Sequence, residues 1–179
     1  YVVVDPIQKL DVLTHFLNKR EGQQGIIFCR TKAAVNKLAK NLAISKFSSG
    51  ALHGSLSQPI RDRIMDQFRE GHVSILVATD LAARGIDVTG LTHVIHFQLP
   101  DEIENYTHRS GRTARAGKTG VSFTLLNMRE GGRLKDIERI SNVKFEKIMI
   151  PSAQEVRDKK LLAFTDTIIN TEIEEHIFD

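Results

Sequence analysis

Residues 108–117 read HRSGRTARAG, with Arg109, Arg112 and Arg115 at a spacing of three and small residues between them. A guanidinium stays charged at any working pH and presents a planar fork of donors suited to phosphate oxygens. The spacing can bring Arg112 and Arg115 to one side of a single turn. Glycine and alanine between them let backbone and ligand approach closely. Such a cluster can hold a phosphate or stabilise charge developing on one. A solvated basic turn is the alternative, and it must also explain His108, Lys118 and three further segments.

Each of those segments follows an apolar run. IIFC leads into Arg30-Thr31-Lys32. GALH leads into Gly54-Ser55, then Gln58 and Arg61. ILVA leads into Thr79-Asp80, then Arg84-Gly85-Ile86-Asp87. In each, a small or hydroxyl residue stands within a few positions of a cation. If the apolar runs are parallel strands, all three segments leave the same edge of one sheet. Helix amino ends, hydroxyls and glycines in a row make an anion track, better suited to a chain of phosphates than to a single one.

Those positions need a sheet. Strands are predicted at Tyr1–Val4, Gly25–Cys29, Ser49–His53, Ser74–Ala78, His93–Phe97, Val121–Leu125 and Glu146–Ile150. Several are nearly all apolar, as parallel strands covered on both faces must be. Helical stripes lie between them: Leu10, Leu13, Phe16 and Leu17; Val35, Leu38, Ala39 and Leu42; Ile60, Ile64 and Phe68; Ile103 and Tyr106; Leu134, Ile137 and Ile140. Strand-then-helix order predicts an α/β fold, a parallel sheet sandwiched by helices. Ligands of such sheets bind outside the carboxyl ends of the strands.

Several other signals carry less. Gly117-Lys118-Thr119 lacks the first glycine of a phosphate-binding loop, since Arg112 stands at that position, and it precedes a strand rather than a helix. No G-x-G-x-x-G follows a strand. Cys29, the single cysteine, reads as a small core residue, and it excludes an internal disulfide. His53, His93 and His96 read as packed or hydrogen-bonded imidazoles, without metal-ligand spacing. Asp101, Glu102 and Glu104 open a helix and favour its positive end.

The 179 residues, 41% hydrophobic and 26% charged, suit one globular domain. The net charge of +3 hides an asymmetry. Residues 151–179 hold three cations against seven carboxylates, −4, which leaves +7 on residues 1–150. A basic body favours a polyanionic partner. No apolar run approaches the ~18–20 residues of a membrane span, and no signal-peptide pattern opens the chain. With one cysteine, this fits a cytoplasmic protein. The strand-like opening at Tyr1 suggests a piece of something longer. After Pro151 an acidic, helix-like segment carries Val156, Leu161, Leu162, Phe164, Ile168, Ile169, Ile173 and Ile177. It is expected to be a helical extension that docks on the body or serves as a dimerisation element, giving a possible homodimer.

Taken in order, IIFCRT, HGSLSQPIRDRIMDQFREG, ILVATDLAARGIDV and YTHRSGRTARAGKTG closely resemble motifs IV, IVa, V and VI of the carboxyl-terminal RecA-like domain of DEAD-box RNA helicases. The resemblance covers about residues 1–150 and is nearer to bacterial members. Ser110 stands where the motif more often has isoleucine or valine, and Ala114 where it usually has glycine; no change of role is expected from either. The resemblance implies one half of an ATP-dependent enzyme. The other half, an amino-terminal RecA-like domain, would carry the Walker A lysine, the DEAD carboxylates, Mg²⁺ and the adenine pocket. Matched residue by residue, Arg112 and Arg115 take arginine-finger positions on the ATP phosphates. Asp87 takes the position that meets the ribose, and Gly85 allows close approach. His108 meets the other domain. Arg30, Thr31, Gly54, Gln58, Arg61 and Thr79 take positions on or supporting an RNA-backbone track. A stand-alone RNA- or phosphate-binding domain without catalysis is the competing possibility.

Overall fold

Apolar runs of four residues set the sheet. In the computed structural model, which describes residues 1–84, 86, 88, 91–114 and 119–149, six strands form one parallel sheet: β1 (Val2–Val3), β2 (Gly25–Phe28), β3 (Ser49–Leu52), β4 (Ile75–Ala78), β5 (His93–His96) and β6 (Val121–Leu126), in the order β1-β6-β5-β2-β4-β3. Five α-helices separate them, α1 (Lys9–Asn18), α2 (Lys32–Ile44), α3 (Gln58–Arg69), the single turn α4 (Asp80–Ala83) and α5 (Ile103–Ser110), and α6 (Gly131–Ser141) follows β6. This is the expected RecA-like α/β architecture.

Strand pleating divides the core. Ile27 of β2 and Cys29 just past its end join Leu13, Leu17, Val35, Leu38 and Leu42 of α1 and α2. Ile26 and Phe28 turn the other way, to Met65 and Phe68 of α3 and Ala82 and Ala83 of α4. A third cluster joins Leu126 to Tyr106 of α5 and to Leu134 and Ile137 of α6. Both faces of the sheet are therefore covered, which is why its central strands read as continuous apolar runs. Residues Tyr1–Ile148 form one compact unit.

Three expectations need correction. Residues 146–149 form no regular strand, although Ile148 N–H donates to the Tyr1 carbonyl at 2.7 Å. Glu146 and Ile148 bond Tyr1 beside the two-residue edge strand β1, where the ladder is too short, and all four residues are exposed. In α3 the buried residues are Met65 and Phe68, while Ile60 is half exposed on the first turn. Ile140 is likewise exposed at the end of α6. The predicted extension over 151–179, and any homodimer made through it, lie outside the described residues. Among the described residues no helix is long and apolar enough to cross a membrane.

Candidate functional site

The carboxyl ends of β2, β4 and β3 lie side by side. Backbone bonds carry the ladder one or two residues past the strands: Cys29 N–H donates to Ala78, Thr79 N–H to Leu52, and Gln98 N–H to Phe28. Arg30-Thr31, Thr79 and Gly54 therefore leave adjacent strands from one edge. Thr31 caps α2, its hydroxyl accepting from Ala34 N–H at 3.1 Å. Thr79 caps α4 in the same way, accepting from Ala82 N–H at 3.3 Å. Both hydroxyls satisfy helix-end donors, a structural duty served from the row itself.

The cations of this edge are held to differing degrees. Arg61 reaches from α3 to the Ala82 carbonyl at 3.2 Å, fixing α4 against α3. Arg30 pairs with Asp101 at 3.4 Å, both side chains well exposed. Such a pair is worth about 0–1 kcal/mol and yields readily to a stronger anion. Gln58 donates to Asp62 at 2.7 Å along α3. Lys32 of α2 donates to Ser55 at 3.3 Å and so joins the β2 and β3 loops.

Beside this row opens a cavity of about 530 Å³, lined by Phe28, Asp80, Arg84, Asn105, His108, Arg109 and Arg112 among others. The helix α5 builds one wall. Asn105, His108 and Arg109 recur on it at three- and four-residue spacing, which puts them on one face. Arg112 follows in the turn beyond its end. His108 is exposed. Arg112 is half-buried and its Nη1 donates to the Ile86 carbonyl at 2.8 Å. Gly85, Asp87 and Arg115 lie outside the described residues.

Arg109 has another fate. Its side chain is 1% exposed. Nε and Nη2 donate to the two carboxylate oxygens of Asp80 at 2.5 and 2.7 Å, and Nη1 donates to the Gln98 carbonyl at 2.7 Å. Its guanidinium also lies over the Phe28 ring, 5.0 Å from the centroid. The three arginines are therefore not equivalent: this one bolts α5 to α4 and the sheet. The pairing was missed in the sequence because its partner lies 29 residues away. The only available signal was an acid directly after the capping Thr79.

The turn holding Arg112 is closely built. Gly111 N–H donates to Thr107 and Arg112 N–H to Arg109. The Thr113 hydroxyl donates to the Leu91 carbonyl, and Thr113 bridges Leu91 in parallel register. Any side chain at Gly120 would strike Thr113 and the backbone nitrogen of Ala114. Ala114 itself adopts φ +55°, the left-handed region that glycine takes without strain. The departure from glycine noted in the sequence thus has a physical consequence.

The buried titratable groups behave as expected of packed residues. Burial pushes the Cys29 thiol up to about 12, against the pull of Arg109 and Lys9. Burial lowers His93 to about 4, with Arg20 adding to the effect. Burial, then Arg109, holds His96 well below the ordinary imidazole range. His53 bonds Asn36 at 3.0 Å. Among the described residues no group of three His, Cys, Asp or Glu could hold a metal ion.

The profile of the helicase conserved C-terminal domain family matches residues 8–117. A solved C-terminal domain of the DEAD-box protein Dbp5 is 30% identical, with a TM-score of 0.77, covering 89% of this chain and 93% of that one. This chain is the helicase C-terminal domain of a DEAD-box protein. The helicase C domain is also similar to a DEAD-box protein from Methanococcus jannaschii, with TM-score 0.79 and 40% identity over 83% of this chain and 41% of that one. In sequence it is 41% identical over 170 residues to the DEAD-box ATP-dependent RNA helicase CshA of Geobacillus kaustophilus, covering 95% of this chain and 36% of that protein. The helicase C domain spans about a third of the length of the curated relatives it matches.

Proposed function

We propose that this domain is the trans-acting half of an ATP-dependent RNA helicase. Arg112 and Arg115 act as arginine fingers on ATP held by a separate amino-terminal RecA-like lobe. Asp87 meets the ribose and orients the finger arginines, Gly85 allows close approach, and His108 meets the facing lobe. Arg30, Thr31, Gly54, Gln58, Arg61 and Thr79 bind or support the RNA sugar-phosphate backbone. Closure of the two lobes couples ATP binding and hydrolysis to local duplex opening, in a cytoplasmic protein.

One observation carries this reading: Arg112 and His108 line a cavity at the strand ends whose only described carboxylate, Asp80, is already taken by Arg109. A cavity so furnished suits phosphate oxygens. Phosphoryl transfer spreads charge over those oxygens, and a fixed cation there lowers the barrier. Supplied from a second lobe, the cation makes hydrolysis conditional on closure. Mg²⁺, which the family implies, belongs in this reading with the nucleotide on the amino-terminal lobe, where it neutralises phosphate charge. Backbone contacts give little sequence specificity, and the 2′-hydroxyl distinguishes RNA from DNA.

The test compares the isolated 179-residue chain with the full-length protein in RNA-stimulated ATPase. The isolated chain should turn over no ATP. In the full-length protein, Arg115→Ala should abolish turnover while RNA affinity persists. ATPase by the isolated chain would refute the two-lobe mechanism. Near-normal ATPase in Arg115→Ala would favour a binding module.

A further inference from the structure

We propose that Ser110 is a positioning residue for Arg112, acting through a hydrogen-bonded node with His96 and Ser122. This rests on the reading of Arg112 given above.

The node joins three elements. His96 of β5 places Nε2 3.2 Å from the hydroxyls of both Ser110, the last residue of α5, and Ser122 of β6. The two hydroxyls are 2.9 Å apart. The Tyr106 hydroxyl, one turn earlier on α5, lies 3.3 Å from Ser122. Its ring stacks on His96 at 4.3 Å and 17°. His96 is fully buried, Ser110 is half-buried and Ser122 faces the open side.

The proton of the neutral imidazole can be assigned. Nδ1 is buried and has no hydrogen-bond partner among the described residues. A buried N–H without an acceptor is rarer and costlier than a bare acceptor nitrogen. The proton therefore sits on Nε2, and His96 donates to the serine oxygens. Burial, with Arg109 nearby, keeps the ring uncharged, so the node keeps one pattern at neutral pH.

Its position gives it a task. Arg112 lies between two anchors. On one side Thr113 is tied to Leu91 and donates its N–H to the Ser110 carbonyl. On the other side the Ser110 side chain ties the end of α5 to β5 and β6. Arg109 already fixes α5 at Asp80 and Gln98, one residue before Ser110. A second fixed point close by removes rotation of the helix end about the first. That rotation would swing the Arg112 side chain across the mouth of the cavity. A branched apolar residue at 110 would fill the space but could not accept from His96.

The test uses the full-length protein with Ser110→Ala, Ser122→Ala and the double variant, with thermal melts to establish folding. Each single variant should lower kcat for RNA-stimulated ATPase about 10- to 100-fold, as a misplaced catalytic group does, with KM for ATP and RNA affinity unchanged. The double variant should be no worse than the worse single, because both remove the same node. In the 179-residue chain, the ¹⁵N order parameter of Arg112 Nε should fall in each variant. Should Ser110→Ala fail to fold, Ser122→Ala carries the same test. Wild-type kcat, a rise in KM alone, additive losses or an unchanged order parameter would each overturn the proposal. Arg112→Ala separates the two levels. If it keeps turnover, the finger reading itself fails; if it abolishes turnover while both serine variants keep it, only the role of Ser110 fails.

Discussion

Replacing Asp80 by alanine should strip two of three acceptors from a guanidinium that is 1% exposed. Among the described residues only the Gln98 carbonyl would remain. Breaking a buried ion pair by removing one partner costs about 3–5 kcal/mol. The Asp80 side chain is 25% exposed, so water can enter the vacated space, and the lower end, about 3 kcal/mol, is expected. For a unit of this size each kcal/mol moves the melting temperature by about 2–4 °C, so Asp80→Ala should melt about 6–12 °C below the parent. Urea unfolding of the chain, followed by circular dichroism, measures the same loss. Adding Arg109→Met should recover much of it, because the double variant buries no charge. The two substitutions should therefore couple by about 2 kcal/mol or more in a double-mutant cycle. A stability change under about 1 kcal/mol for Asp80→Ala, or a double variant weaker than the single, would refute the view that this pair bolts α5 in place.

Three further outcomes are expected. Ala114→Gly should stabilise the chain by about 0.5–1 kcal/mol in urea unfolding, because it relieves the φ of +55° faster than it adds unfolded-state freedom; a loss of stability would contradict the strain. His93 is held near 4 when folded against 6.5 when free, so the unfolded chain binds the extra proton between those values. Stability should then be full above pH 6.5 and decline as pH falls toward 4, and His93→Leu should flatten part of that slope; a flat parent profile would count against a neutral buried ring. Arg30→Ala should weaken RNA binding by the full-length protein at low salt with little change in melting temperature, since its pair with Asp101 is exposed. Unchanged affinity in a fluorescence titration would remove Arg30 from the track.

Most of the fold was legible because its strands are apolar on both faces. Four of the buried runs, GIIF, ILVA, HVIH and the end of VSFTLL, announce themselves without help from the turns. Failure came where burial depends on what lies opposite. Ile60 and Phe68 share a stripe, yet only Phe68 meets the sheet, since α3 enters from solvent on its first turn. Residues 146–149 look like a strand but border a two-residue edge. The grouping of three candidate residues was legible, since Thr31, Gly54 and Thr79 do leave neighbouring strands. The split between Arg109 and Arg112 was not. Two identical side chains three positions apart differ only because Asp80 waits beneath one of them. Ser110 and Ala114, dismissed as neutral small residues in the sequence, acquire meaning from a buried imidazole and a left-handed backbone.

The central claim is that Arg112 completes a phosphate site whose other wall is a separate lobe. Single-turnover hydrolysis of ATP by the full-length protein with RNA bound, comparing the parent with Arg112→Ala, addresses it directly. A fall of about 10³-fold or more in the hydrolysis rate, with RNA affinity retained, is predicted. A rate within a few-fold of the parent would contradict it.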